Sequence, residues 1–169
     1  MSRRASILGL GRRGETWAGL CLDAGFDVRA FDPAPNAASA VARLPGLRRE
    51  DTISAAVRSA DWVICSVPDR LELIQMVLQR AQAEAPAHAL VAVASPLHDI
   101  DALQSCAMRP GHVMRLVDTV GGGVALDVTD RNGLDAKQLG EALSTELAAL
   151  RSLCAANVTY SDGPDAESA

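Results

Sequence analysis

Short runs of apolar residues alternate along the chain with longer segments in which apolar and polar positions are mixed. The runs have few polar interruptions, which is typical of strands covered on both faces in a parallel sheet. The pattern predicts strands at Ala5–Leu8, Asp27–Phe31, Trp62–Val67, Ala89–Ala94 and, with a more mixed composition, His112–Thr119.

The mixed segments between these runs predict helices. In Arg70–Ala85, for example, large apolar residues recur every three or four positions, which is the spacing of one helix face. Asn36 and Thr52 each precede a short helical segment and are expected to cap it. The predicted helices are Glu15–Ala24, Asn36–Arg43, Thr52–Ser59, Arg70–Ala85, Asp99–Cys106 and Asp135–Ala156, and a last short strand is predicted at Val158 and Tyr160.

This alternation of strands and helices predicts an α/β fold, namely a Rossmann-like, doubly wound, mostly parallel sheet. A length of 169 residues with 49% hydrophobic residues suits a single domain with a proper core. We assign that domain to residues 1–160 and expect the tail at 161–169, rich in Asp, Gly, Ser and Ala, to be disordered.

Charge and cysteine usage exclude several classes of function. A net charge of -5 argues against binding to nucleic acid or to an anionic membrane, since both attract basic surfaces. Apolar runs stay far below the roughly 20 residues of a membrane span, so we expect a cytoplasmic protein. The four cysteines form no CxxC pair and have no histidine at metal-ligand spacing, so no metal site is expected. Cys21 and Cys65 are interpreted as small buried hydrophobic residues.

A glycine-rich turn lies between the first predicted strand and the first predicted helix. Its residues are Gly9, Leu10, Gly11, Arg12, Arg13 and Gly14. In a dinucleotide-binding turn of this GxGxxG spacing, the first glycine permits the sharp bend and the second lets the backbone approach a pyrophosphate. The third lets the helix pack on the strand. The two arginines either add positive charge beside the pyrophosphate or are solvated surface residues.

Asp32 follows the second predicted strand, about 20 residues beyond the glycines, where a carboxylate accepts hydrogen bonds from the adenosine ribose hydroxyls. The sequence therefore predicts a dinucleotide site that prefers NAD to NADP. The alternative is a glycine-rich turn that serves structure alone and binds no ligand.

Four segments resemble the NAD-binding domain of the 3-hydroxyacyl-CoA dehydrogenase family and of its relatives that oxidise carnitine and gulonate. They are GLGRRGETWA (Gly9–Ala18), AGFDVRAFDP (Ala24–Pro33), SADWVICSVPDRLEL (Ser59–Leu73) and HVMRLVDTV (His112–Val120). The resemblance implies that Val67, Pro68 and Asp69 pass beside the nicotinamide ribose, with Asp69 in place of the usual glutamate. Ile74 stands where the family commonly has a lysine.

The resemblance also implies catalytic positions. Ser95 matches a serine that contacts the substrate hydroxyl, and Asp118 matches a glutamate that holds the family's general-base histidine. Cys106 stands where that histidine belongs, so a histidine elsewhere in the sequence can serve as the base only if the fold brings it to the substrate hydroxyl. We expect His112, oriented by Asp118, to take this role, with His98 as the second candidate.

Two functions remain open on this evidence. The first is an oxidoreductase that oxidises a 3-hydroxy acyl or acid substrate with hydride transfer to NAD. The second is a non-catalytic NAD(H)-binding module or subunit, since the family's helical C-terminal domain has no counterpart in this sequence. Apolar surface left without that domain would be covered by a homodimer or by a partner subunit.

Overall fold

The computed structural model describes residues 3–118 and 124–156. The strands are β1 (Arg4–Leu8), β2 (Asp27–Phe31), β3 (Arg48–Arg49), β4 (Trp62–Cys65), β5 (Leu90–Ala94), β6 (Val113–Asp118) and β7 (Val124–Asp127). The helices are α1 (Arg12–Asp23), α2 (Ala37–Arg43), α3 (Ile53–Val57), α4 (Leu71–Glu84), α5 (Ile100–Gln104) and α6 (Leu134–Ala156).

The strands form one sheet in the order β3-β2-β1-β4-β5-β6-β7. Strands β1 to β6 pair in parallel, and β7 pairs antiparallel with β6. From β1 the chain winds outward in one direction through β2 and β3, and then in the other direction through β4, β5 and β6. This topology confirms the predicted Rossmann-like fold. It also creates a switch point between β1 and β4, outside whose carboxyl ends such sheets bind ligands.

Two apolar layers cover the sheet because successive side chains of a strand point to opposite faces. Ile7 faces the layer that includes α1 and α6, and Leu8 faces the layer that includes α3 and α4. Helix α6 lies close to the sheet at Gly140, where a Cβ atom would press on the sulfur of Met114. Both faces of the described sheet are therefore packed against helices, and in sheets of this topology ligands bind at the carboxyl ends of the strands.

The two predicted helix caps have different outcomes. The Thr52 hydroxyl accepts a hydrogen bond from the backbone N–H of Ala55 at 3.0 Å, which confirms Thr52 as the cap of α3. Asn36 occupies the predicted N-cap position of α2, but its side chain makes no capping hydrogen bond. The backbone of Asn36 is itself helical, which places its side chain differently from that of an extended capping residue.

Strand β7 was not predicted, because its four residues form only a short, half-buried segment at the edge of the sheet. It adds the one antiparallel pairing among the described strands. The last strand predicted at Val158 and Tyr160 lies outside the described residues, as does the predicted tail at 161–169.

Cys21 and Cys65 are buried, as predicted. Burial raises the pKa of each thiol to about 12, so both remain protonated at neutral pH. They pack as small hydrophobic residues. Within residues 3–118 and 124–156, no helix combines the length and apolar character needed to cross a membrane.

A buried polar network ties α5 to the start of β6 and to the segment that follows β7. The buried amide of Gln104 donates a hydrogen bond to the carbonyl of Val113 at 3.0 Å and accepts one from the hydroxyl of Thr129 at 2.8 Å. The amide of Asn132 donates to the carbonyl of Gly111 at 2.9 Å. Each of these groups thus has a hydrogen-bond partner within the protein.

We expect Gln104→Ala to lower the free energy of unfolding by about 1–3 kcal/mol, because the buried groups of Val113 and Thr129 lose a partner. Urea denaturation measures the change. The matched control is Gln79→Ala, since Gln79 is exposed and donates to the carbonyl of Cys106 at 3.0 Å. The control should change stability by less than about 0.5 kcal/mol, and equal losses in the two variants would contradict the assigned role of the network.

Candidate functional site

The glycine turn joins β1 to α1 through two steric contacts. Gly9 has a φ of +97°, and a Cβ atom on it would clash with the carbonyl oxygen of Ser66 at the end of β4. Gly14 lies in the first turn of α1, and a Cβ atom there would clash with the carbonyl oxygen of Gly9. These two glycines are therefore required by the fold itself.

Gly11 differs from the other two glycines. It precedes the first residue of α1 with an extended backbone, and a Cβ atom placed on it would meet nothing within 4 Å. Packing within the described chain therefore does not require glycine here. The open space lies at the N-terminus of a 12-residue helix, where backbone N–H groups and the helix dipole favour an anion such as a pyrophosphate.

Asp32 ties the glycine turn to the end of β2. Its Oδ2 accepts a hydrogen bond from the backbone N–H of Leu10 at 2.7 Å, and its Oδ1 accepts one from the N–H of Ala34 at 2.8 Å. Arg49 donates to the main-chain carbonyl of Asp32 at 2.9 Å. Each carboxylate oxygen has two acceptor sites, so the side chain can still accept hydrogen bonds from ribose hydroxyls.

Arg12 and Arg13 are exposed on the first turn of α1. Arg13 borders a cleft of about 180 Å³ between α1 and the carboxyl ends of β5 and β6. Ser95 and Asp118, two of the predicted catalytic residues, line the same cleft, and the buried Trp17 forms part of its wall. The cleft thus lies beside the predicted pyrophosphate position, at the carboxyl ends of the strands.

Asp69 organises the loop that follows β5. The Ser95 hydroxyl donates a hydrogen bond to Oδ1 of Asp69 at 2.6 Å, and the backbone N–H of Leu97 donates to Oδ2 at 2.9 Å. The N–H of His98 donates to the Ser95 hydroxyl oxygen at 3.2 Å. Ser95 is fully buried, and its proton is directed at Asp69. The geometry therefore makes Ser95 a link between two loops.

Val67 and Pro68 lie just after β4, in the segment that leads to Asp69. Val67 is half-buried against the core, whereas Pro68 is exposed. Ile74, at the position of the family's lysine, is buried in the core on the α4 side of the sheet. The chain therefore places no cation at that position.

Arg115 and Asp127 were missed by sequence reasoning. Arg115 on β6 donates through Nε to the carbonyl of Ser95 at 2.7 Å and through Nη2 to that of Pro96 at 3.2 Å. Its Nη1 donates to Oδ2 of Asp127 on β7 at 2.7 Å. One feature of the sequence could have indicated the role of Arg115. It is the one charged residue among the apolar residues that begin the strand Val113–Asp118.

His112 and Asp118 lie at opposite ends of β6, and so at opposite ends of the parallel strands. His112 immediately precedes β6, and its Nδ1 is 3.2 Å from the carbonyl oxygen of Ala89. Asp118 is the last residue of the six-residue strand that follows, and the strand alone, from Val113 to Asp118, separates the two groups by about 17 Å at ~3.3 Å per residue. The predicted orientation of His112 by Asp118 is therefore wrong. The spacing in sequence was short, but the intervening residues form an extended strand that separates the two groups.

Within the described ranges, no group of three or more His, Cys, Asp or Glu side chains is arranged to hold a metal ion.

Known relatives include L-carnitine dehydrogenases. The chain is 31% identical over 150 residues to the enzyme of Streptomyces griseus, covering 71% of this chain and 45% of the relative. It is also 31% identical over 150 residues to the enzyme of Mesorhizobium japonicum, covering 70% of this chain and 41% of the relative. The chain therefore spans less than half the length of these curated relatives.

Solved structures share the fold at low sequence identity. A diketoreductase superposes with a TM-score of 0.78 at 21% identity, covering 86% of this chain and 62% of that chain. The 3-hydroxybutyryl-CoA dehydrogenase of Escherichia coli superposes with a TM-score of 0.74 at 20% identity, covering 87% and 37%. Together with the L-carnitine dehydrogenases, these neighbours confirm the resemblance seen in the sequence motifs.

A family model described as the NAD binding domain of 6-phosphogluconate dehydrogenase matches residues 4–126. The matched region runs from β1 into β7 and includes the glycine turn, Asp32 and the loops at Asp69 and Ser95. This agrees with the cofactor predicted from the sequence. The chain belongs to this family of NAD-binding domains.

Proposed function

We propose that the chain binds NAD across the carboxyl ends of the parallel strands. We propose that it serves as the cofactor domain of a hydroxy-acid oxidoreductase. The observation that carries the proposal is the open space at Gly11, at the N-terminus of α1, between two glycines that the fold itself requires. The pyrophosphate fits at this N-terminus, and Asp32 is positioned for the adenosine ribose. Arg12 and Arg13 add positive charge beside the pyrophosphate.

We infer the position of the nicotinamide from the course of the loops that follow the strands. Along the carboxyl ends of the strands, the glycine turn is followed by the segment Val67–Asp69 after β4. The cleft bordered by Ser95 and Asp118 comes next, at the ends of β5 and β6. When bound there, NAD supplies the hydride acceptor. The protein holds the two loops through Asp69 and Arg115, so that the walls of the cleft are fixed before substrate arrives.

The substrate class follows from the relatives and remains part of the proposal. L-carnitine dehydrogenases and 3-hydroxybutyryl-CoA dehydrogenases are named for substrates that carry a hydroxyl. We therefore propose that this chain takes part in oxidising a 3-hydroxy acid or acyl group with hydride transfer to NAD. Further substrate walls would come from a homodimer or a partner subunit, and the setting would be the cytoplasm.

A second candidate function is a module that holds NAD or NADH without turnover. The buried Ser95 favours it, because a hydroxyl whose proton is directed at Asp69 is poorly placed to contact a substrate. Assays with L-carnitine and 3-hydroxybutyryl-CoA, run where NADH binding is saturable, separate the two functions. NADH formation supports the oxidoreductase, and binding without NADH formation supports the module.

We expect Gly11→Ala to weaken NADH binding at least tenfold while the protein stays folded, because the new methyl group occupies the space that the pyrophosphate needs. Gly14→Ala should instead lower the free energy of unfolding by about 1–3 kcal/mol or more, since its Cβ meets backbone. Fluorescence titration with NADH and urea denaturation measure the two effects.

The matched control for both variants is Gly19→Ala in the same helix, where a Cβ would make ordinary contact with Leu44 at 3.6 Å. This change should leave NADH binding unaltered and stabilise the protein by about 0.5–1 kcal/mol. Tight NADH binding by the Gly11→Ala variant would argue against a cofactor at this turn.

We expect Asp32→Asn to weaken NADH binding by about 10- to 100-fold, because a charged hydrogen-bond acceptor contributes about 1.5–3 kcal/mol. NADPH binding should fall less, since removal of the carboxylate also removes repulsion of the 2′-phosphate. Asp23→Asn is the control, at the far, exposed end of α1. An unchanged ratio of NADH to NADPH affinity would remove Asp32 from the ribose site.

A further inference from the structure

Arg49 lies next to the acidic residue of the proposed ribose site. It is the second residue of β3, which runs parallel to β2, and it pairs with Ala30. Paired residues share a face of the sheet, so Arg49 lies beside the point where β2 leads into Asp32. Its exposed guanidinium donates from Nη2 to the carbonyl oxygen of Asp32 at 2.9 Å and to that of Ala34 at 3.4 Å. A cation is therefore held at the end of β2.

The charge of Arg49 is not balanced by a carboxylate within residues 3–118 and 124–156. The adjacent acid, Glu50, forms an ion pair with Arg29, whose Nη1 is 3.1 Å from Oε1 of Glu50. The groups that hold the guanidinium of Arg49 are main-chain carbonyls, which are neutral. Its positive charge therefore remains available to an anion on a ligand.

The guanidinium of Arg49 also keeps donors for such an anion. In the part of the chain that the structure describes, Nη2 makes both of its side-chain hydrogen bonds. Nε and Nη1 carry the remaining N–H groups of the planar fork. A planar fork of N–H donors matches the spacing of phosphate oxygens and can bind two of them at once. A phosphate is therefore the anion that this group fits best.

One phosphate distinguishes the two nicotinamide dinucleotides, and it lies on the ribose that Asp32 is positioned to bind. NADP carries it on the 2′-hydroxyl of adenosine, whereas NAD has a free hydroxyl there. The Asp32 carboxylate accepts from the free hydroxyl and repels the phosphate, and the Arg49 guanidinium beside it attracts the phosphate.

We propose that Arg49 binds the 2′-phosphate of NADP, so that the chain accepts NADP(H) as a second cofactor beside NAD(H). The inference rests on the proposed function, because both dinucleotides occupy the same site. Asp32 sets the preference for NAD, and Arg49 limits how strongly NADP is disfavoured. The two side chains thus act in opposite directions on one hydroxyl position of the ligand.

The test compares Arg49→Gln with Arg48→Gln in the full chain, by fluorescence titration with NADH and with NADPH. Arg48 is the matched control, because it is exposed on the same strand, pairs with Arg29 and so lies on the opposite face. The unaltered chain should bind NADPH saturably. Arg49→Gln should weaken NADPH binding by about 10- to 100-fold and NADH binding by less than about threefold. Arg48→Gln removes the same charge and should leave the ratio of the two affinities unchanged.

A second measurement separates phosphate binding from support of the loop, since Arg49 also holds two carbonyls. Adenosine 2′,5′-bisphosphate and adenosine 5′-phosphate differ by the 2′-phosphate alone, and each is used to displace bound NADH. Arg49→Gln should shift the ratio of their affinities toward the monophosphate by about tenfold or more. Arg49→Lys, which keeps the charge without the planar fork, should shift it less.

The outcomes separate the inference from the proposed function. Saturable binding of NADH without binding of NADPH overturns the inference and leaves the function standing. Equal weakening of both dinucleotides in Arg49→Gln also overturns it, because Arg49 then supports the loop alone, and so does NADPH binding that survives the substitution. Absence of binding of either dinucleotide to the unaltered chain overturns the proposed function, and the inference with it.

Discussion

The contact between the backbones of Gly9 and Gly14 sets the distance between β1 and α1, and the site depends on that distance. A single carbon atom on either residue would push the helix or the end of β4 away. With both carbons absent, the N-terminus of α1 lies at the switch point of the sheet and its free N–H groups face outward. The anion binding that we propose at the N-terminus of α1 is thus a consequence of close packing between a helix and a strand.

Two carboxylates fix the loops around that edge. Asp32 accepts backbone hydrogen bonds from Leu10 and Ala34, and Asp69 accepts one from Leu97 as well as the Ser95 hydroxyl proton. In both cases an acidic side chain satisfies donors that an irregular loop leaves unpaired. These loops follow the carboxyl ends of the strands, where we propose that NAD binds, and hydrogen bonds within the chain already hold them in place.

Local features of the sequence were enough to predict most of the fold. The solid apolar runs at Trp62 and Ala89 mark buried parallel strands, and the glycine spacing marks the turn before α1. The roles of Arg115 and His112 could not be predicted in this way. Arg115 acts on carbonyls twenty residues earlier in the chain, and the distance between His112 and Asp118 depends on whether the intervening residues are extended. Such contacts are set by sheet register, which a single sequence does not display.

The three glycines of the turn carry different information about descent. In a lineage that had ceased to hold a cofactor, Gly9 and Gly14 would still be retained, because any side chain there collides with the main chain. Gly11 would be released from selection, since the space around it is open. A GxGxxG signature can therefore outlast the activity for which it is named. Of its three glycines, only the middle one is expected to depend on whether the protein still binds a ligand.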